Sequence, residues 1–179
     1  MKVLMKKYLT LILSLVIIAI IHEGLHAVIA NAYGEYGGFR VRPYGLEVIY
    51  NTPVEERAGI RWGFISGASN IATVMLGYLL FAFRSRLVRH QNDFIRALSY
   101  WLIIYLLLLD PLNLSIGSLL YGGDINGIVV GLGISQWVIR GIFFSVFFLN
   151  RELVAGVVLP TFGVRTKHPL LRPWIAQNR

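Results

Sequence analysis

The sequence contains no cysteine. Disulfides, thiolate zinc sites, iron–sulfur clusters and thiol nucleophiles are therefore excluded. Charge is scarce too: 15% of residues are charged, where a soluble globular domain carries about 25%. Histidine is limited to His22, His26, His90 and His168, so any metal must be held by these four or by one of nine acidic residues. What remains is apolar. Of the 179 residues 56% are hydrophobic, and the mean hydropathy is +0.63. An excess of that size in so short a chain cannot all enter one water-surrounded core; it is the composition of a protein embedded in a bilayer.

The expected fold class is an all-α membrane protein with about four transmembrane helices and a short β-hairpin after the first. The apolar runs place the spans at about residues 8–32, 61–83, 95–121 and 134–158 of a single domain, 1–179. The first run opens like a secretory signal, with Lys2, Lys6 and Lys7 ahead of it and Ala30-Asn31-Ala32 behind. It is nevertheless long enough to cross, at about 20 residues per span, and reads as a retained helix. Strand-like stretches Phe39–Arg42 and Leu46–Tyr50 flank Pro43-Tyr44-Gly45 and predict the hairpin. It is read either as a strand edge for an extended peptide or as an interfacial anchor carrying Tyr36, Tyr44 and Tyr50. The third run is interrupted at Asp110-Pro111, which reads as a helix break. Arg140, near the start of the fourth span, is expected to snorkel or to pair with an acid such as Asp110.

The net charge of +8 would suggest nucleic acid in a soluble protein. Here the basic residues sit in short segments between apolar runs, which points to lipid headgroups and topology instead. Lys2, Lys6 and Lys7, the Arg84–Arg96 segment and the tail after Asn150 are basic, whereas the loop from Tyr33 to Arg61 is balanced. Four spans with both termini cytoplasmic satisfy that pattern.

The chemistry is concentrated in His22-Glu23-Gly24-Leu25-His26. On a helix, residues i and i+4 lie about 40° apart around the axis, so His22 and His26 can share one metal ion. Glu23 stands beside them, able to take a proton from a metal-activated water without being a ligand. Chance would give this pattern in about three of a thousand chains of this composition. Its position inside an apolar run adds weight, because ionisable groups in membrane helices mark functional sites. A catalytic zinc keeps three protein ligands and an open position, so a third ligand must come from elsewhere. Asp124 and Asp110 are the acids in or beside the other apolar runs, and Asp124, after two glycines, is preferred. His90 and His168 lie in basic polar segments and read as surface residues. A di-iron carboxylate site would need a second Glu-x-x-His, which is not present.

These residues together resemble the site-2 protease family of intramembrane zinc metallopeptidases, through most of residues 8–130. HEGLHAVIA resembles its metal-binding helix and GEYGGFRVRPYGLEVIY the hairpin that follows. ISGASNIATVMLG is similar to the helix bearing Gly-Pro-x-x-Asn, here without the proline. The stretch from NLSIG to GGD stands where the family has an Asn/Pro-rich segment leading to Leu-Asp-Gly, with the glycine and Asp reversed. The resemblance implies one Zn2+ per chain held by His22, His26 and Asp124, and Glu23 as general base. It implies Asn70 close to substrate or oxyanion, and a transmembrane protein segment as substrate. Family sites open towards the cytosol, whereas the charge pattern sets His22 nearer the outer face. A non-catalytic scaffold or chaperone of the same fold is one rival reading. A metal carrier is another, and it would require a polar file across the whole bilayer. No nucleic-acid partner is expected, and oligomeric state is not legible.

Overall fold

The computed structural model describes residues 2–175 other than Tyr44 and Tyr121, with backbone alone for residues 2–7. The chain begins with a proline-free helix, α1 (Lys2–Ala32), followed by strands β1 (Tyr36–Arg42) and β2 (Gly45–Tyr50). Next come α2 (Arg61–Ala82), the short α3 (Arg84–Leu87) and α4 (Asp93–Ser115). The last part holds α5 (Asp124–Leu132), α6 (Gln136–Leu153), a π-helical turn over Val154–Val158 and the closing turn α7 (Leu159–Thr161). In hydrocarbon every backbone N–H and C=O must be satisfied within the protein, which long apolar runs achieve by becoming helices. Four segments are long and apolar enough to cross a membrane: Tyr8–Ala32, Arg61–Ala82, Asp93–Leu119 and Gln136–Thr161. The third and fourth differ from the expected 95–121 and 134–158 by about two residues at each end.

The end of α1 shows how a local rule aims the hairpin. Gly34 adopts φ +71°, and the N–H of Glu35 reaches back to the carbonyl of Ala30 at 2.8 Å while that of Gly34 bonds Asn31 at 3.1 Å. This is the left-handed glycine cap that ends a helix abruptly. The chain then turns into the antiparallel pair β1–β2, with Phe39 opposite Val48 and Arg40 opposite Glu47. Buried Glu35 ties the hairpin base down, pairing with Arg61 at 3.1 Å and accepting the N–H of Thr52 at 3.1 Å. Tyr50 packs edge-on to Trp62, and Arg57 covers both rings. The turn residue Tyr44 lies outside the described residues.

α2 and α4 form the centre, with α1 against both, α5 on α2 and α6 on α4. α1 is the most one-sided: 17% of its most apolar window is buried, against 39–44% for the other three spans. Its buried positions are Thr10, Ser14, Ile18, His26 and Ala30, one stripe at four-residue spacing. The short helix α5 was not anticipated as a separate element. At nine residues it is too short to cross, and it lies flush on α2. A Cβ on Gly131 would stand 1.9 Å from the backbone nitrogen of Gly63, so only glycine permits this approach.

Two expectations are corrected. α4 runs without a break through Pro111. Proline has no N–H for the carbonyl four residues back, and that carbonyl, of Leu107, accepts from Asn150 Nδ2 at 2.7 Å instead. Asn150 is fixed in turn by the Tyr78 hydroxyl at 2.5 Å. A membrane helix tolerates proline when a neighbour satisfies the freed group in this way. Arg140 does not meet Asp110 either; it donates to the hydroxyl and the carbonyl of Ser118, both at 3.0 Å.

Two measurements test this packing. Gly131→Ala should destabilise the detergent-solubilised protein by roughly 1–3 kcal/mol through overpacking. Gly141→Ala, with nothing within 4 Å of the added methyl, should leave the thermal midpoint unchanged. Asn150→Ala should cost about 1–2 kcal/mol, and less in a Pro111→Ala background, where the helix restores its own hydrogen bond. Equal costs in both backgrounds would mean that Asn150 does not serve the proline.

Candidate metal centre

Four elements bring the polar side chains together. α1 presents His22 and His26 one turn apart, α5 delivers Asp124 from its first residue, α2 contributes Ser69, Asn70 and Thr73, and α4 contributes Asp110. Ligand atoms of His22, His26 and Asp124 all lie within 4.8 Å of one another, a group that can hold a metal ion. The closest separations are 3.1 Å between the two Nε2 atoms, 3.3 Å from His22 Nε2 to Asp124 Oδ2 and 3.3 Å from His26 Nε2 to Asp124 Oδ1. A tetrahedral ion bound at about 2.0–2.1 Å sets its ligand atoms about 3.3–3.4 Å apart. The separations in this triangle of side chains are close to that spacing, the two histidines meeting different oxygens of Asp124.

The surroundings aim the right atoms inward. His26 Nδ1 donates to the carbonyl of Ile65 at 2.6 Å, which leaves the Nε2 lone pair for the triangle. The Ser69 hydroxyl stands 2.8 Å from that Nε2. His22 Nδ1 is 3.3 Å from Asp110 Oδ1, close enough for an ion pair but off the line of a hydrogen bond. Asp110 is held by the Thr73 hydroxyl, which also reaches the carbonyls of Ser69 and Asn70. Carboxylate behind imidazole is the usual means of fixing a metal-binding histidine's tautomer. Two imidazole lone pairs and a carboxylate facing one another repel unless a proton or a cation is shared among them. The donor set thus fits a divalent ion.

Burial alone would raise the Asp124 carboxyl, but positive charge on the facing His26 and His22 outweighs burial and holds it well below the usual carboxylate range. Asn70 Nδ2 donates to Asp124 Oδ2 at 3.0 Å and to the Ser66 carbonyl at 2.9 Å. Both amide hydrogens are committed, so Asn70 offers no donor to an oxyanion in this arrangement. Among the described residues its Oδ1 is buried without a hydrogen-bond partner, an acceptor open to a water or a peptide N–H. Glu23 also engages the hairpin, where its Oε2 accepts the N–H of Val48 at 3.1 Å. On the same strand, burial and the charges of Asp124 and Glu23 push the Tyr50 phenol above its ordinary range, so it stays protonated.

Of the residues singled out in the sequence, His22, Glu23, His26, Asn70 and Asp124 gather here. His90 and His168 are exposed, each accepting a nearby backbone N–H through Nδ1. Asp110 belongs to the site, on the ring nitrogen of His22 opposite the triangle rather than as a member of it. Ser66 and Thr73 were not singled out, and Ser69 reads from the sequence only as part of a small-residue packing surface. Their signal was the polar spacing Ser66, Ser69, Asn70, Thr73, which puts four hydrogen-bonding side chains on one helix face.

Asp110→Asn should weaken metal affinity roughly 10–100-fold in competition against a chelator, with Thr73→Val following in the same direction by less. Unchanged affinity in Asp110→Asn would remove Asp110 from the site. No protein-family model matches this chain, and no curated protein or solved structure matches it closely enough to supply a relative.

Proposed function

We propose that the protein is an intramembrane zinc metalloprotease, hydrolysing peptide bonds in transmembrane or membrane-proximal segments of other proteins. The observation that carries the reading is the convergence of His22 Nε2, His26 Nε2 and Asp124 at 3.1–3.3 Å with Glu23 adjacent in sequence to the first histidine. Nitrogen and carboxylate donors without thiolate suit zinc, and three of them leave a coordination position for substrate or water. When bound, zinc would polarise the scissile carbonyl and lower the pKa of a coordinated water to about 7.

The chain's own residues account for the rest. His22, His26 and Asp124 would hold the ion, and Asp110 and the Ile65 carbonyl orient the two rings. Glu23 takes the proton of the attacking water and delivers it to the departing amine. The Val48 N–H engages one carboxylate oxygen of Glu23 and leaves the other for that proton. An extended substrate is favoured, because an α-helix buries its own peptide bonds. The N–H of Val48 points away from β1, and a peptide laid along that outer edge of β2 would pass beside Glu23. Asn70 Oδ1 can accept a substrate N–H.

A metal carrier is less well supported. Buried Ile18 lies on the same α1 stripe between the histidine cluster and Ser14 and Thr10 at the far end of α1. Among the described residues the polar groups around the histidines form a local cluster rather than a file. With the basic segments on the cytoplasmic side, the cluster lies towards the opposite face, and substrates would be engaged from there.

The test combines metal content with turnover in detergent-purified protein. About one zinc per chain is expected in the wild type and loss of it in His22→Ala and Asp124→Ala. Glu23→Gln should keep zinc while cleavage of a transmembrane substrate falls by roughly 10²–10⁴. Zinc retained by wild type and Glu23→Gln with equal cleavage would exclude Glu23 as the base. A wild type that refuses zinc would exclude the metalloprotease reading.

A further inference from the structure

At the end of the bundle remote from His22 and His26, α6 passes into the π-helical turn Val154–Val158 and the chain doubles back. Buried Arg151 holds the returning strap. Its Nη2 donates to the carbonyl of Leu170 at 2.7 Å, to that of Pro169 at 3.4 Å and to that of Arg172. Its guanidinium lies 4.0 Å from the centroid of the Trp174 ring and pairs with Glu152. Glu152 accepts the N–H groups of Trp174 at 3.0 Å and Ile175 at 3.2 Å. These bonds fix the strap a short distance off the helix.

Between the strap and the π-turn is an open cavity of about 750 Å³. Ala155, Gly156 and Leu159 supply its apolar wall, and Arg165, Thr166 and Arg172 its polar rim. Arg165 and Arg172 are exposed, and neither guanidinium has an ion-pair or hydrogen-bond partner among the described residues. The nearest acid in sequence, Glu152, is already committed to Arg151 and the strap. Two free guanidinium groups above an apolar wall, at the end of a membrane-length helix, match a ligand with an anionic head and a hydrocarbon tail. A soluble phosphate would use the rim but not the wall. A zwitterionic lipid would bring its own cation against the two arginines.

We propose that this cavity binds one anionic glycerophospholipid, its phosphate between Arg165 and Arg172 and its glycerol and upper acyl chain along Ala155, Gly156 and Leu159. The π-turn shapes the wall, as such turns often do at functional positions. Because Arg151 already holds the strap, little ordering is needed on binding. The site is independent of the metal centre, and its test does not require proteolysis.

The test is native mass spectrometry of the full chain released from detergent, titrated with phosphatidylglycerol and with phosphatidylcholine. One phosphatidylglycerol should bind tightly and phosphatidylcholine weakly. Each arginine near a headgroup is worth about a fivefold change in affinity, so Arg165→Gln together with Arg172→Gln should weaken phosphatidylglycerol roughly 30-fold. Arg165→Gln alone, a change at an exposed side chain, should weaken it about fivefold. Both variants should match the wild-type thermal midpoint in lipid-free detergent, and millimolar inorganic phosphate should not displace the lipid. Phosphatidylglycerol binding unchanged by both substitutions would overturn the proposal. So would equal binding of the two lipids, or full displacement by inorganic phosphate, which would identify a phosphate site instead.

Discussion

The meeting of His22, His26 and Asp124 inside an apolar bundle is the constraint on which the rest of the molecule depends. Ionisable groups among hydrocarbon are costly, and a buried polar atom without a partner costs more than the mean hydrogen bond returns. Almost every polar atom near the cluster therefore has an assigned neighbour. The Ile65 carbonyl takes His26, Asp110 faces His22, Thr73 holds Asp110, and Asn70 holds Asp124. Much of the bundle's geometry serves that assignment. The glycine contact between α2 and α5 lets a nine-residue helix carry its first residue up to α1, and the hairpin reaches back to engage Glu23.

Three carboxylates share this small volume, and their surroundings distinguish them. Asp124 faces both Nε2 atoms, Asp110 faces the opposite nitrogen of His22, and Glu23 faces a backbone N–H of β2. In the proposed chemistry these positions are ligand, orienter and base. The division of labour follows from which atom each acid sees rather than from any difference among carboxylates.

Much of this was legible in the sequence because it is periodic or local. Long apolar runs can only be helices in lipid, and Pro43-Tyr44-Gly45 between strand-like stretches can hardly avoid a hairpin. The i, i+4 spacing already places His22 and His26 on one face. What was not legible depends on tertiary contact. Asp110-Pro111 reads as a break until Asn150, far along the chain, supplies the missing donor to Leu107. Asp110 reads as a competitor for the metal until the ring nitrogen it meets is known. The segment after Gly122-Gly123 is helix-compatible in sequence, but its standing as a separate short helix depends on the surface of α2. Asn70 was visible as a buried polar residue, but its use as a clamp on Asp124 depends on the same α2–α5 contact.

The shallow seating of α1 has a consequence of its own. Lipid tails are as apolar as leucine, so no hydrophobic force holds one membrane helix to another. α1 offers the bundle a single narrow stripe, and the strongest contacts on that stripe are the two histidines. A cation captured by His22, His26 and Asp124 would bind the helix to its neighbours as firmly as it binds the ligands, so occupancy and assembly become one equilibrium. The two halves of the centre are also separated by 102 residues of chain. During biogenesis α1 enters the membrane long before Asp124 does. A partly inserted chain has the two histidines but not the complete donor set until the bundle has closed.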